Sequence, residues 1–262
     1  MRRLLTFACQ GASLGATLDG GSGAIGLMMV TGGSQTRIGS HRMYERLAMA
    51  LAAEGMTVLR FDRRGVGDSE GEDPGFRGSA PEIAAAAEAM RREAGVARIV
   101  GLGLCDGATA LALHGAAAGI HDAILVNPWL TETEADSPAP AAIRRHYRDR
   151  LLSREGWKKL LSGSVSLGKL FAGLRKSAQT ESSELAAQVA VALRTGGIRA
   201  ELILAEGDAT AVAASHELKH KQFKGLIAKS QTISSDSHTF ARPGDAEALL
   251  IATRAALRRS GA

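Results

Sequence analysis

Between Ala24 and Asn127 the sequence alternates short apolar runs with helical patterns, and this alternation limits the fold more than any other feature. "AIGLMMV" (24–30), "MTVLRF" (56–61), "RIVGLGL" (98–104) and "DAILVN" (122–127) are each the length of one buried strand and too short for a core helix. Between the first two, Met43, Leu47 and Leu51 recur at helical spacing through Met43–Glu54, and Gly55 follows as a stop. Ser79 and Glu82 have capping-box spacing and open an alanine-rich helix that ends before Gly95. Strand, helix, strand in this order calls for crossover connections. The expectation is a mostly parallel, doubly wound α/β sheet with helices on both faces.

The N-terminal "MRRLLTFACQGASLGA" places two arginines before an apolar stretch, as a short signal peptide does. Gln10, Gly11 and Ser13 interrupt that stretch, so it reads as the first strand of the sheet. Strand signals stop near Pro128 and return with "IRAELILAEGD", then "LIAKSQTISSDSH" and a terminal helix from about Gly244 to Arg259. Residues 1–129 and 196–262 are therefore expected to form one core, with 130–195 as a helical cap over the carboxyl ends of the strands. Within the cap, Trp157, Leu160, Leu161, Leu167, Leu170, Phe171 and Leu174 alternate with lysines. This pattern suits a lid that lines an acyl pocket or, as the second reading, a basic segment resting on anionic lipid.

A net charge of +5 with scattered basic residues, and only 4% aromatic residues, argues against a nucleic-acid partner. Cys9 and Cys105 make neither a disulfide framework nor a paired-cysteine metal site, so a cytoplasmic setting is expected. No P-loop or dinucleotide fingerprint occurs, and neither cofactor nor metal is expected. No apolar run in the sequence is long enough to span a bilayer.

Cys105 sits in "GLCDG", residues 103–107, between a strand and a helix. This is the G-x-nucleophile-x-G spacing of a nucleophile elbow, in which small residues two positions either side let strand and helix approach. The following helix N-terminus offers N–H groups and a positive dipole end, which favour a thiolate and a developing oxyanion. A buried structural cysteine would satisfy the same five residues, but Asp208 ends a later strand and His238 lies in the loop after the last one. Nucleophile, acid, histidine is the order of the α/β-hydrolase fold, and the chain resembles that superfamily over nearly its whole length, with the cysteine elbow seen in dienelactone hydrolases.

The resemblance implies an α/β-hydrolase fold, with a helical cap, and a Cys105–His238–Asp208 triad. His238 takes the proton from the thiol or pairs with the thiolate, and Asp208 fixes the imidazole. The oxyanion is expected to bind the Asp106 N–H and a second N–H from "TGGSQ", with Gly33 and Ser34 both open. The Asp106 carboxylate opposes thiolate formation unless it points away. Glu206 is an alternative acid, Asp236 is read as shaping the His238 loop, and His41 and His146 as residues outside the reaction. More narrowly, "GGSQTRIGSHR", "RFDRRGVGDSEG", "GLCDGA" and "NPW" resemble the hydrolases associated with exosortase A systems, which accompany exopolysaccharide synthesis. The leading expectation is an esterase or thioesterase working through an acyl-enzyme on a small acyl substrate. An acyltransferase on the same triad is the second, and a catalytically silent binding protein, in contact with a membrane or a polysaccharide assembly, is the third.

Overall fold

In the computed structural model, residues 1–21, 23–131 and 182–262 are described. Eight strands run in chain order as β1 (Arg2–Cys9), β2 (Ala12–Asp19), β3 (Ile25–Val30), β4 (Thr57–Phe61), β5 (Arg98–Leu104), β6 (Asp122–Val126), β7 (Arg199–Ala205) and β8 (Ile227–Ile233). They form one sheet ordered β1-β2-β4-β3-β5-β6-β7-β8. β2 is antiparallel to both of its neighbours, and every pairing from β4 to β8 is parallel. The central strands β3, β5 and β6 are apolar nearly end to end because helices cover both faces, whereas the edge strand β8 is largely exposed. On one side lie α2 (Ala80–Ala94), α3 (Asp106–His114) and α4 (Glu184–Thr195); on the other lie α1 (Met43–Ala53) and α6 (Asp245–Arg259). The short helix α5 (Ala209–Glu217) follows β7.

The structure departs from the sequence reading in three places. The N-terminal stretch is a hairpin of two strands rather than one strand. Gln10 and Gly11 both take positive φ, 48° and 84°, and reverse the chain so that Cys9 pairs with Ala12. Two consecutive positive φ values are what a tight two-residue hairpin requires. The capping box of α2 is also not formed. Ser79 Oγ donates to the Phe76 carbonyl, and Glu82 Oε1 instead accepts from Arg64 Nε and the Arg64 N–H at 2.9 and 3.1 Å. Glu82 is fully buried, so a cation there offsets its desolvation, which a backbone cap would not do. Thirdly, the last twelve residues of the stretch read as a cap form α4, which packs Leu185, Val189 and Leu193 into the core beside α3. The remaining cap assignments, Trp157 to Leu174 and His146 among them, lie outside the described residues. No helix among the described residues is long and apolar enough to cross a membrane.

The loop after β4 is a tightly bonded polar knot beside the site. Asp62 is completely buried and accepts from the Arg37 N–H at 2.5 Å, from the Arg37 guanidinium, and from the Asp68 N–H at 3.1 Å. Gly67, at φ 57°, closes this turn where a Cβ would stand 2.4 Å from the Asp62 carboxylate. A side chain at this left-handed position would have to displace that hydrogen-bonded carboxylate.

Candidate active site

Parallel pairing brings the carboxyl ends of β3, β5, β6, β7 and β8 to one edge of the sheet, and the chain leaves each strand there with a polar residue. Val30 pairs with Gly103, Leu104 with Val126, and Ala205 with Ile233, so these ends are in register. Cys105 follows β5 immediately at φ 58° and ψ −127°, a backbone conformation that costs a non-glycine residue free energy. The surrounding packing holds it there. A Cβ on Gly107 would stand 2.6 Å from the Val30 carbonyl oxygen, and one on Gly103 2.6 Å from the Ala108 nitrogen. Strand and helix thus meet at backbone distance on both sides of the sulfur. The Cys105 carbonyl accepts from the N–H groups of Ala108, Thr109 and Trp129 at 3.1, 3.3 and 3.2 Å, and from Thr109 Oγ1 at 3.3 Å.

Asp208 lies just beyond β7 as the N-cap of α5, where its Oδ2 accepts from the Ala211 N–H at 2.9 Å. The same oxygen accepts from His238 Nδ1 at 3.0 Å, and the ring borders the same cleft as Cys105. The three side chains therefore converge from three separate strand ends. Hydrogen bonding to Asp208, then to Cys105, outweighs desolvation and pushes the His238 pKa up to about 10. Cys9, by contrast, is buried at the far edge strand, and desolvation pushes its thiol up.

One contributor to the site was not recognised from the sequence. Asn127 follows β6 at φ 41° and is fully buried. Its Oδ1 accepts from the Ala205 N–H at 2.8 Å, and its Nδ2 donates to the His238 carbonyl at 3.0 Å. The amide thus ties the end of the acid's strand to the backbone of the histidine. Asn127 stands in "NPW", but its role depends on two backbone groups that are distant in sequence.

The Asp106 side chain turns toward the loop after β3. Its Oδ1 accepts from the Gly33 N–H at 2.5 Å, so this donor is already engaged, and Arg63 donates to the Gly33 carbonyl behind it. Ser34 is exposed beside it. The cleft over the sulfur has a volume of about 500 Å³ and is bounded by Gly32–Gln35, Phe76, Trp129 and His238. The other residues weighed from the sequence stay apart from the reaction. Asp236 pairs with Arg242, Glu206 is exposed, and His41 Nδ1 bonds the neighbouring Ser40 hydroxyl at 2.9 Å.

This fold and the elbow on it define the class. The chain belongs to the alpha/beta hydrolase family, whose sequence model matches residues 27–248. Among solved structures it is similar to an esterase of Pyrococcus furiosus, with 14% identity, a TM-score of 0.66, and coverage of 99% of this chain and 91% of that one. A thioesterase domain from the curacin biosynthetic pathway aligns with 14% identity and a TM-score of 0.61 over 98% and 99% of the two chains. An α/β serine hydrolase without a lid, from Xanthomonas campestris, aligns with 17% identity and a TM-score of 0.60 over 98% and 94%. No curated protein matches the sequence.

Proposed function

We propose that the chain cleaves an ester or thioester through a covalent acyl-cysteine, with Cys105 as nucleophile, His238 as acid and base, and Asp208 as the residue that orients and charges the imidazole. One observation carries this reading: a cysteine in a strained elbow that shares its cleft with a histidine whose Nδ1 lies 3.0 Å from Asp208. The esterase and thioesterase among the structural relatives support the same reaction class.

In the first step His238, whose charged form the Asp208 carboxylate favours, takes the proton from the Cys105 thiol and leaves a thiolate–imidazolium pair. The sulfur attacks the acyl carbon, and the carbonyl π electrons move onto oxygen. As that tetrahedral species collapses, the imidazolium gives its proton to the departing alkoxide or thiolate. The neutral imidazole then takes a proton from water, the resulting hydroxide adds to the acyl-cysteine, and loss of acid restores the ion pair. The Asp106 N–H, in the first turn of α3 where backbone donors lack intrahelical partners, stabilises the oxyanion. Ser34 N–H is the second donor as the loop stands, and Gly33 N–H becomes one when the Asp106 carboxylate swings away. Phe76 and Trp129 give the cleft apolar walls suited to the acyl chain. The four segments that resemble exosortase A-associated hydrolases support placing this reaction beside exopolysaccharide synthesis.

The test is a panel of acyl esters and acyl thioesters assayed with wild type, Cys105→Ala and His238→Ala. Each substitution is expected to lower kcat by about a thousandfold or more. Full activity in the Cys105→Ala enzyme would exclude a covalent cysteine route.

A further inference from the structure

The carboxyl end of α5 carries His216-Glu217-Leu218-Lys219-His220, a group of residues the proposed reaction leaves unused. One ligating atom from each of His216, Glu217 and His220 lies within 4.8 Å of the other two. The two rings stand edge to face with centroids 5.5 Å apart. Glu217 is only 3% exposed, and no lysine or arginine among the described residues forms an ion pair with it. Its Oε2 is oriented by the Ser182 hydroxyl at 2.9 Å and the Ser183 N–H at 3.2 Å. Next to it, His220 Nε2 is buried without a hydrogen-bond partner among the described residues. A buried imidazole nitrogen without a partner and a buried carboxylate without a cation among the described residues, held this close, are the features a metal ion would satisfy together.

We infer that His216, Glu217 and His220 form a site for one divalent transition-metal ion of the zinc class at the carboxyl end of α5, which the Glu217 hydrogen bonds to Ser182 and Ser183 clamp to the start of α4. Two imidazoles and one carboxylate select a borderline ion over magnesium or calcium, which take oxygen ligands. Donors of a tetrahedral zinc at ordinary bond lengths lie about 3.4 Å apart, so small side-chain rotations close the cluster. The His-Glu-x-x-His spacing is shared with helical metallopeptidase motifs, in which the glutamate is a base and not a ligand. Here α5 ends at Glu217, and the carboxylate turns to the imidazoles and to Ser182 and Ser183, so it can serve as the third ligand, with the fourth position left to water. The clamp gathers three parts of the chain, because Ser183 Oγ also donates to the Leu130 carbonyl beyond β6. Asp208 caps the other end of α5, about 13 Å away along the helix axis, so the ion stands apart from the sulfur and does not depend on the triad reading.

The test uses the full, untagged chain stripped with chelator and titrated with zinc chloride by calorimetry, with thermal unfolding in parallel. Binding of one ion per chain and a rise in Tm are expected. His216→Ala and His220→Ala should each weaken binding tenfold or more and abolish the rise, while Cys105→Ala binds as wild type does. Circular dichroism and Tm in chelator check that each variant is folded, and His216→Gln serves where an alanine variant is not. No uptake of zinc by the wild type, or uptake unchanged when both histidines are replaced, would overturn the assignment.

Discussion

At the scale of single residues, Asp106 is the charged neighbour that bears most directly on the proposed nucleophile. Its carboxylate adjoins Cys105 and engages the Gly33 N–H, so it places negative charge beside the nucleophile and occupies an oxyanion donor. Asp106→Asn keeps an oxygen for Gly33 and removes the charge, which favours the thiolate. Alkylation of Cys105 by iodoacetamide near neutral pH is expected to quicken about three- to tenfold. Cys9 stays silent because it is 4% exposed. Slower labelling would mean that the carboxylate is needed to hold the loop. Cys105, Asp208 and His238 were legible in the sequence because each follows a recognisable strand, and strand ends of a parallel sheet share one edge. Asn127 was not legible: an asparagine before a proline reads as a turn until Ala205 and the His238 backbone are seen to meet it.

At the scale of elements, the elbow rests on the fit of β5, α3 and the end of β3. Gly107→Ala places a methyl group 2.6 Å from the Val30 oxygen and 2.7 Å from the Thr31 carbonyl carbon, both backbone atoms with no freedom to rotate aside. A loss of about 1–3 kcal/mol is expected from overpacking, read as a lower urea midpoint. An unchanged midpoint would mean that α3 can shift away from the sheet. The elements also explain the misreadings. Gln10-Gly11 is a poorer turn signal than Asn-Gly, so the break in apolar character read as an interrupted strand. Glu82 stands at the right spacing for a cap, but spacing carries no information about Arg64, which reaches it from another loop. The spacing of His216, Glu217 and His220 was equally visible, yet it gains meaning only through Glu217's burial and its contacts with Ser182 and Ser183.

At the scale of the whole molecule, the alternation of strand and helix signals was sufficient for the parallel sheet, and the order of nucleophile, acid and histidine for their common edge. The strand order across the sheet was beyond periodicity, because pairing depends on contacts between distant segments. Folding also couples the site to pH. The His238 pKa rises on folding from about 6.5 to about 10, so the protonated ring binds better in the native state. Its contribution to stability is complete below about pH 6.5 and is lost as pH rises through about 10. The Tm difference between wild type and His238→Gln should therefore shrink across that interval, and a flat difference would mean the ring is uncharged in the fold. Four donors converge on the Cys105 carbonyl, from α3 and from the chain leaving β6. An anchor of that kind leaves the Cys105 backbone no room to travel, so in the reaction proposed above the torsional strain set at folding would persist unrelieved from one turnover to the next. On that reading the residue is a fixed post past which acyl groups and protons move.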